Sequence, residues 1–181
     1  MDDDVRRILD FWFADEARPH WFASTPAFDA ECARVCGDLL DKAESGAIWH
    51  WCRAARSTLA LVLLTDQFPR NMFRGTARAF ACDHLARGFT REALDLGFDA
   101  ELSIEERAFL YLPFEHSENP ADQARSVALF ERLGDAEKLD YAVRHKVIVD
   151  RFGRFPHRNA ALGRTSTAEE AAFLEQPNSS F

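Results

Sequence analysis

Three clusters of polar side chains in this sequence contain the residue types that bind anions and transfer protons. Each cluster stands at the end of an apolar segment with helical periodicity. Arginine suits carboxylates and phosphates because its planar guanidinium can form two parallel hydrogen bonds with them. Histidine and carboxylate side chains are the usual general acids and bases. The clusters are Asp66, Gln67, Arg70, Asn71 and Arg74; Glu115, His116, Ser117 and Glu118; and His145, Lys146, Asp150, Arg151, Arg154, His157, Arg158 and Asn159.

The first cluster follows an apolar stretch that runs from Leu59 to Leu64. Apolar residues at nearly every position predict a helix that is buried on all its faces. Such a helix carries its polar end into surroundings where unpaired polar groups are unfavourable. Asp66, Arg70 and their neighbours must therefore pair with one another, with polar groups elsewhere in the chain, or with a ligand.

One interpretation assigns these side chains to a site for a small anionic ligand, a carboxylate or a phosphate. In a helical stack, helix ends of like position gather on one face, so we expect the clusters to line one concave region. The arginines would hold the anion and the aspartates would orient the arginines. The predicted ligand-binding residues are Asp66, Arg70, Asn71, Arg74, Asp150, Arg154 and His157. The predicted catalytic residues, for proton transfer, are Glu115, His116 and His145.

The same residues also fit a purely structural interpretation. Asp66 and Arg70 lie four residues apart, so an ion pair along the helix can join them. Lys146, Asp150 and Arg154 repeat this spacing. Pairs of this kind can simply tie helix ends together. The residue types alone leave open whether the clusters form a site or brace the fold.

Other kinds of site have less support. Cys32 and Cys36 share a helix face, but no second pair of Cys or His lies near them to complete a zinc site. The chain has no Gly-rich phosphate loop, no serine nucleophile turn and no Cys–His nucleophile arrangement. We therefore predict no metal site and four free thiols, and the sequence leaves any cofactor unknown.

The elements that must position these clusters are predicted to be helices throughout. Thr25 and Pro26 mark the start of a helix that we expect to run to Gly46. Pro69 and Pro113 are expected to break or kink the helices in which they occur. Capping signals open further helices, at Ser103, Asn119, Asp135 and Thr167. We predict an all-α chain of roughly seven to nine helices, a single helical domain over residues 1–181 without linkers.

Composition narrows the classes of partner. The formal net charge is −8, which argues against general binding to nucleic acid or to an anionic membrane surface. Arginine nevertheless concentrates in residues 66–91 and 144–164, around two of the three clusters. No apolar run approaches the roughly 20 residues that span a bilayer, and the acidic start lacks the features of a signal peptide. We expect a cytoplasmic location.

Several long motifs resemble one family of bacterial proteins, domain of unknown function family 924. The resemblance covers nearly the whole chain, and the motifs that carry it read ILDFWF, HWF, LALVLLTDQFPRNMFRGTARAF, FLYLPFEHSE, DQARSVALF and HKVIVDRFGRFPHRN. The resemblance implies an all-helical domain similar to tetratricopeptide-repeat superhelices. It implies no established activity and transfers no catalytic residue.

Two functions from different classes follow as hypotheses. The first is a helical protein that binds a small anionic ligand in an Arg-rich cleft, with hydrolytic or lyase-type acid–base chemistry if a reaction occurs. The alternative is a tetratricopeptide-like interaction module whose groove binds a peptide or protein. The sequence leaves open whether the protein catalyses any reaction. It also leaves open the oligomeric state of the protein.

Overall fold

The computed structural model describes residues 2–177 and 179, and within them it contains α-helices and short 3-10 helices but no strand. This confirms the all-α prediction, and the nine α-helices of the described part agree with the predicted number. The α-helices are α1 Asp3–Trp12, α2 Pro26–Cys36, α3 Leu39–Glu44, α4 Ala55–Met72, α5 Asp83–Asp95, α6 Ile104–Glu115, α7 Pro120–Leu133, α8 Ala136–Phe152 and α9 Ala168–Leu174. The 3-10 helices are Arg18–His20, Trp49–Arg53, Ala77–Phe80, Phe98–Glu101 and Pro156–Arg158.

The chain divides into two compact units. Unit 1 comprises Met1–Arg74 with Arg78–Pro113, and unit 2 comprises Gly75–Ala77 with Phe114–Phe181. The single domain over residues 1–181 and its tetratricopeptide-like superhelical form stay predictions. No helix of the described residues is long and apolar enough to cross a membrane.

Helix α4 is the centre of unit 1. Its residues Leu59 to Leu64 are all completely buried, as their apolar character predicts. Helices α1, α2, α3 and α5 pack around it. An aromatic group extends this core, because Trp12 contacts both Phe68 and Phe109, with ring centroids 5.5 Å and 5.6 Å apart. The last turn of α4 is therefore held in an apolar environment, and its polar side chains need partners there.

The two prolines that were expected to break or kink their helices lie inside them. Pro69 is in the last turn of α4, and Pro113 is in α6. A proline removes one hydrogen bond, but the turn of α4 closes again when the Phe73 amide donates to the Pro69 carbonyl at 3.0 Å. The expectation of a break was wrong because tertiary packing around the helix outweighs one lost hydrogen bond. As a result, Arg70 remains one helical turn from Asp66.

The expected continuous helix from Thr25 to Gly46 was also wrong. Gly37 adopts a φ of 55°, which ends α2, and α3 begins at Leu39. Most start signals are confirmed, because the side chains of Thr25, Asn119 and Asp135 accept hydrogen bonds from the first turns of α2, α7 and α8. Complete capping boxes form at two further sites, Ser103 with Glu106 and Thr167 with Glu170.

Unit 2 is built on the pair of helices α7 and α8, which pack against each other. Gly153 follows α8 with a φ of 69° and turns the chain into the Pro156–Arg158 3-10 helix. Phe155 precedes that helix and is fully buried against Ile148 and Val149 of α8. This corner therefore places side chains from the end of α6, from α8 and from the Pro156–Arg158 turn close together.

The burial of α4 gives a stability prediction. Leu63→Ala should lower the free energy of unfolding by about 2–5 kcal/mol, because it leaves a cavity in a fully buried site. Urea unfolding followed by circular dichroism measures the change. Leu96→Ala is the matched control, since Leu96 is 56% exposed and should change stability by no more than ~0.5 kcal/mol. Equal effects of the two substitutions would show that α4 is not the core of unit 1.

Candidate functional site

The polar end of α4 forms an ion-pair network within unit 1. The Arg70 guanidinium donates two hydrogen bonds to Asp83, with Nη1–Oδ1 and Nη2–Oδ2 distances of 2.9 Å and 3.0 Å. Its Nη1 also lies 3.2 Å from Oδ1 of Asp66, which is completely buried. Gln67 donates from Nε2 to the other Asp66 oxygen at 2.5 Å. Arg70 thus supplies the positive charge that makes two buried carboxylates tolerable.

The remaining members of this cluster are also joined to partners. The Arg74 guanidinium donates to both carboxylate oxygens of Asp29, at 3.1 Å and 3.2 Å, and to the Asn71 side-chain oxygen at 3.2 Å. Asn71 in turn donates to the Gln67 carbonyl at 3.1 Å. These contacts connect the end of α4 with α2, so they brace unit 1.

Asp150 and Arg154, predicted in the ligand set, take separate partners in unit 2. Asp150 is exposed and pairs with Lys146 one helical turn away. Arg154 follows the left-handed Gly153, so it leaves the helical register and pairs with Glu170 instead, at 2.6 Å and 2.8 Å. This guanidinium, together with the Thr167 amide, lowers the pKa of Glu170 to about 2. The pair fastens α9 to the end of α8.

A buried histidine and a buried carboxylate meet in unit 2. His145 and Glu115 are each 4% exposed, and Nδ1 of His145 lies 3.3 Å from Oε1 of Glu115. The same Nδ1 lies 2.8 Å from the Tyr141 carbonyl oxygen. Because a carbonyl oxygen only accepts, we assign the ring proton to Nδ1, which then donates to Tyr141 and faces Glu115. The unprotonated nitrogen of neutral His145 is consequently Nε2.

Other basic side chains surround this histidine. The ring centroids of His116 and His145 are 6.2 Å apart, and Phe155 lies 5.6 Å from both His145 and His157. The Arg158 guanidinium stacks over Phe155 at 4.4 Å and donates from Nη1 to the His116 carbonyl at 2.9 Å. We call His116, His145, His157 and Arg158 the basic cluster. His116 and His157 are partly exposed, so solvent reaches its edge.

The electrostatics of the basic cluster keep His145 neutral. Burial lowers its pKa to about 3, and the positive charge of His116 acts in the same direction. The hydrogen bond with Tyr141 raises the pKa, whereas Arg158 and His157 lower it further. Near neutral pH, the 3.3 Å approach between His145 and Glu115 is therefore a contact of a neutral imidazole with a carboxyl group, and not an ion pair.

Two side chains hold the backbone around the basic cluster in place. Gln123 of α7 donates from Nε2 to the carbonyls of Glu115 and Ser117, at 2.6 Å and 2.7 Å, and so caps the end of α6. Glu118 accepts the Phe155 amide at 2.8 Å. Glu118 also pairs with Arg164, at 2.8 Å and 2.9 Å. Burial raises the pKa of Glu118, but Arg164 and the Phe155 amide together lower it below its usual value.

Sequence reasoning missed the part that Arg158, Phe155 and Gln123 play in this region. The sequence showed Arg158 only as one of several basic residues after α8. It could not reveal the hydrogen-bond acceptor of Arg158, because that acceptor is a backbone carbonyl 42 positions away. The clusters around Asp66, Glu115 and Asp150 were expected to converge on one region. Because these residues belong to both units, their convergence stays a prediction. Within the described residues, no group of three or more His, Cys, Asp or Glu side chains could hold a metal ion.

Fold and site together define an all-helical protein with a buried histidine–carboxylate pair in a basic environment. The family model described as "Bacterial protein of unknown function (DUF924)" matches residues 8–178, and the chain belongs to that family. The chain is also similar to the solved structure of a protein of unknown function from Agrobacterium tumefaciens. The two share 44% sequence identity with a TM-score of 0.90, over 94% of this chain and 96% of the other. Among curated proteins, none matches significantly.

The Arg70 network predicts a large effect on stability. Arg70→Ala should lower the free energy of unfolding by about 3–5 kcal/mol, because the buried Asp66 loses a cationic partner. Arg74→Ala is the control. The Arg74 side chain is 57% exposed, so its removal should lower the free energy of unfolding by about 1 kcal/mol or less. Chemical denaturation measures both. A loss below ~1 kcal/mol for Arg70→Ala, with loss of any phosphate-induced stabilisation, would instead make Arg70 a ligand-binding residue.

The depressed pKa of His145 predicts how stability depends on pH. Below pH ~6.5 the unfolded chain protonates this histidine while the folded chain does not, so the wild-type protein loses stability as the pH falls. Between pH 7 and pH 5 this contribution amounts to about 2 kcal/mol. The free energy of unfolding of His145→Gln should therefore fall by about 2 kcal/mol less than that of the wild type between pH 7 and pH 5.

Urea unfolding at both pH values, in buffers without phosphate or sulfate, checks this expectation. His84→Gln is the matched control, because His84 is exposed and its replacement should leave the decline unchanged. If the free energy of unfolding falls as steeply in His145→Gln as in the wild type, His145 is protonated in the folded protein.

Proposed function

We propose that this protein binds a small oxyanion, a phosphate or a carboxylate, at the basic cluster of unit 2. The Glu115–His145 pair supplies the proton-transfer group there. The observation that carries the proposal is the position of His145 Nδ1 between two acceptors, the Tyr141 carbonyl and the Glu115 carboxylate. This arrangement assigns the ring hydrogen to Nδ1, and in the proposal a proton is taken up or delivered at Nε2.

A carboxylate that orients a histidine through Nδ1 is a recurring device of acid–base catalysis. The carboxylate holds the ring in one tautomer and stabilises the imidazolium when it forms. Glu115 is suited to this part because α6 and Gln123 fix its backbone, at a distance of 2.6 Å between Gln123 Nε2 and the Glu115 carbonyl. Hydrolysis and elimination both use such a group, so the pair is consistent with hydrolytic or lyase-type chemistry.

The preference for an anion rests on charge and burial. Three further basic side chains, His116, His157 and Arg158, lie around the Phe155 ring and His145. Besides burial, which acts most strongly, each of the three lowers the pKa of His145, so basic groups gather at this point in a protein of formal net charge −8. Of the three, only Arg158 is buried, so water screens its charge less than it would screen an exposed group.

The proposal moves the anion away from the arginines that the sequence favoured. Arg70, Arg74 and Arg154 each already hold a carboxylate through two hydrogen bonds. An anion at any of these guanidiniums would have to displace that carboxylate. In the proposal these residues, with Asp66, Asn71 and Asp150, brace the fold. Glu115, His116, His145 and His157 keep their predicted place in the site, and Arg158 joins them.

A cytoplasmic location is part of the same proposal. It is supported by the four cysteines, which are buried free thiols in the structure. Thiols persist in a reducing compartment, whereas secreted proteins usually carry disulfides.

Stabilisation by inorganic phosphate and by succinate tests the binding site. An anion at 100 times its dissociation constant should raise the free energy of unfolding by about 2.7 kcal/mol, measured against sodium chloride of equal ionic strength. His157→Gln and Arg158→Lys should weaken the binding at least tenfold. Arg144→Gln is the control for net charge, because Arg144 pairs with Asp140 on the exposed face of α8 and should leave binding unchanged.

Either of two results would overturn the proposal. The first is that neither anion gives a saturable stabilisation beyond that of sodium chloride. The second is that His157→Gln and Arg158→Lys bind as tightly as the wild type and as Arg144→Gln.

A further inference from the structure

We propose that unit 2 binds one ordered water molecule between Oε1 of Gln123 and Oγ of Ser126, two polar atoms on the buried face of α7. The water donates a hydrogen bond to Gln123 and accepts one from Ser126. The site uses neither a charged group nor a side chain of the basic cluster, so it is independent of the anion binding proposed above.

Ser126 is the first of the two groups. Its side chain is completely buried, and its Oγ has no hydrogen-bond partner among the described residues. A helical Ser or Thr often donates to a carbonyl of the preceding turn, as Thr65 does to Leu61 at 2.7 Å. The other buried Ser and Thr hydroxyls of the described chain all donate to an acceptor, and they are Thr58, Thr65, Thr90, Ser117 and Ser179. A buried hydroxyl that pairs with nothing is unfavourable, so Ser126 needs a partner that the protein itself does not supply.

Gln123 is also completely buried, and its amide has only one possible orientation. Its Nε2 lies 2.6 Å from the Glu115 carbonyl oxygen and 2.7 Å from that of Ser117, and carbonyl oxygens only accept hydrogen bonds. Exchanging the amide nitrogen and oxygen would place three oxygens against one another, so the assignment of the two atoms is fixed. Oε1 has no hydrogen-bond partner among the described residues. It therefore needs a donor.

The hydrogen-bonding needs of the two atoms are complementary. Oε1 of Gln123 can only accept a hydrogen bond, whereas the Ser126 hydroxyl has a hydrogen to donate. One water satisfies both atoms, because a water donates and accepts at once. A buried water makes roughly two to four hydrogen bonds, and these two groups supply the minimum. An ion would lose its hydration between two neutral groups, which is far less favourable than burying a neutral molecule there.

The spacing along α7 brings both side chains within reach of a single molecule. Gln123 and Ser126 lie three positions apart, so they share one face of the helix, with Cβ atoms about 5–6 Å apart. A molecule with two hydrogen bonds of about 2.8 Å each spans that distance. Because neither side chain has exposed surface, the molecule between them must be small. The water thereby completes the hydrogen bonding of the side chain that caps α6.

A crystal structure of the whole chain, at a resolution that shows ordered waters, tests the site directly. We expect a water within about 2.5–3.2 Å of both Gln123 Oε1 and Ser126 Oγ. Either of two results overturns the inference. The first is that no water contacts both atoms, and the second is that Ser126 Oγ donates to a protein acceptor, such as the Asp122 carbonyl one turn before it. Neither result bears on anion binding at the basic cluster.

Ser126→Ala gives a second test, because a bound water and an unpaired hydroxyl predict effects of opposite sign. If Oγ binds the water, its removal takes a hydrogen bond from a buried molecule, and the midpoint of urea unfolding should fall. If Oγ has no partner, its removal should raise the midpoint. Alanine also favours a helix more than serine does, and Ala128→Ser on the exposed face of α7 is the matched control that measures this preference. Once the preference is subtracted, a midpoint for Ser126→Ala at or above that of the wild type overturns the inference.

Discussion

The need to pair charged groups at the buried ends of helices is the constraint on which this structure depends. Helix α4 is apolar on every face, so its last turn carries Asp66 into the interior of unit 1 with no exposed surface. An ionised carboxylate there is tolerable only with a cation beside it. Arg70 meets this need, and because it also holds Asp83, one guanidinium joins α4 to α5. Stability and connection between helices thus come from one contact.

Unit 2 places a different partner beside its buried carboxylate. The buried carboxylate at the end of α6, Glu115, lies against the Nδ1 of His145, whose charge depends on its surroundings. An arginine partner is always charged, so it gives a fixed brace. A histidine partner can change its charge near neutral pH when a ligand alters the local field. The Arg70 contact is therefore a fixed brace, whereas the proposed function gives the His145 contact a part in proton transfer.

The sequence predicted those features that depend on neighbouring residues. Apolar residues on every face predicted the burial of Leu59 to Leu64, and a Thr followed by Glu predicted the cap at Thr167. Features that depend on distant partners were not predictable. Arg154 pairs with a glutamate 16 positions away because Gly153 redirects the chain, and Arg158 binds a backbone carbonyl, which leaves no trace in residue type. Pro69 stays helical through packing that no local rule describes.

The contacts that build the basic cluster have a consequence for the order of folding. Helices α7 and α8 are adjacent in sequence, so their packing closes only a short loop. The contacts of Glu118 with Phe155 and Arg164 join residues 37 and 46 positions apart, and both span that helical hairpin. Loops of this length close after local structure is in place. The hairpin can therefore form first and act as the template on which the chain after residue 153 assembles the cluster.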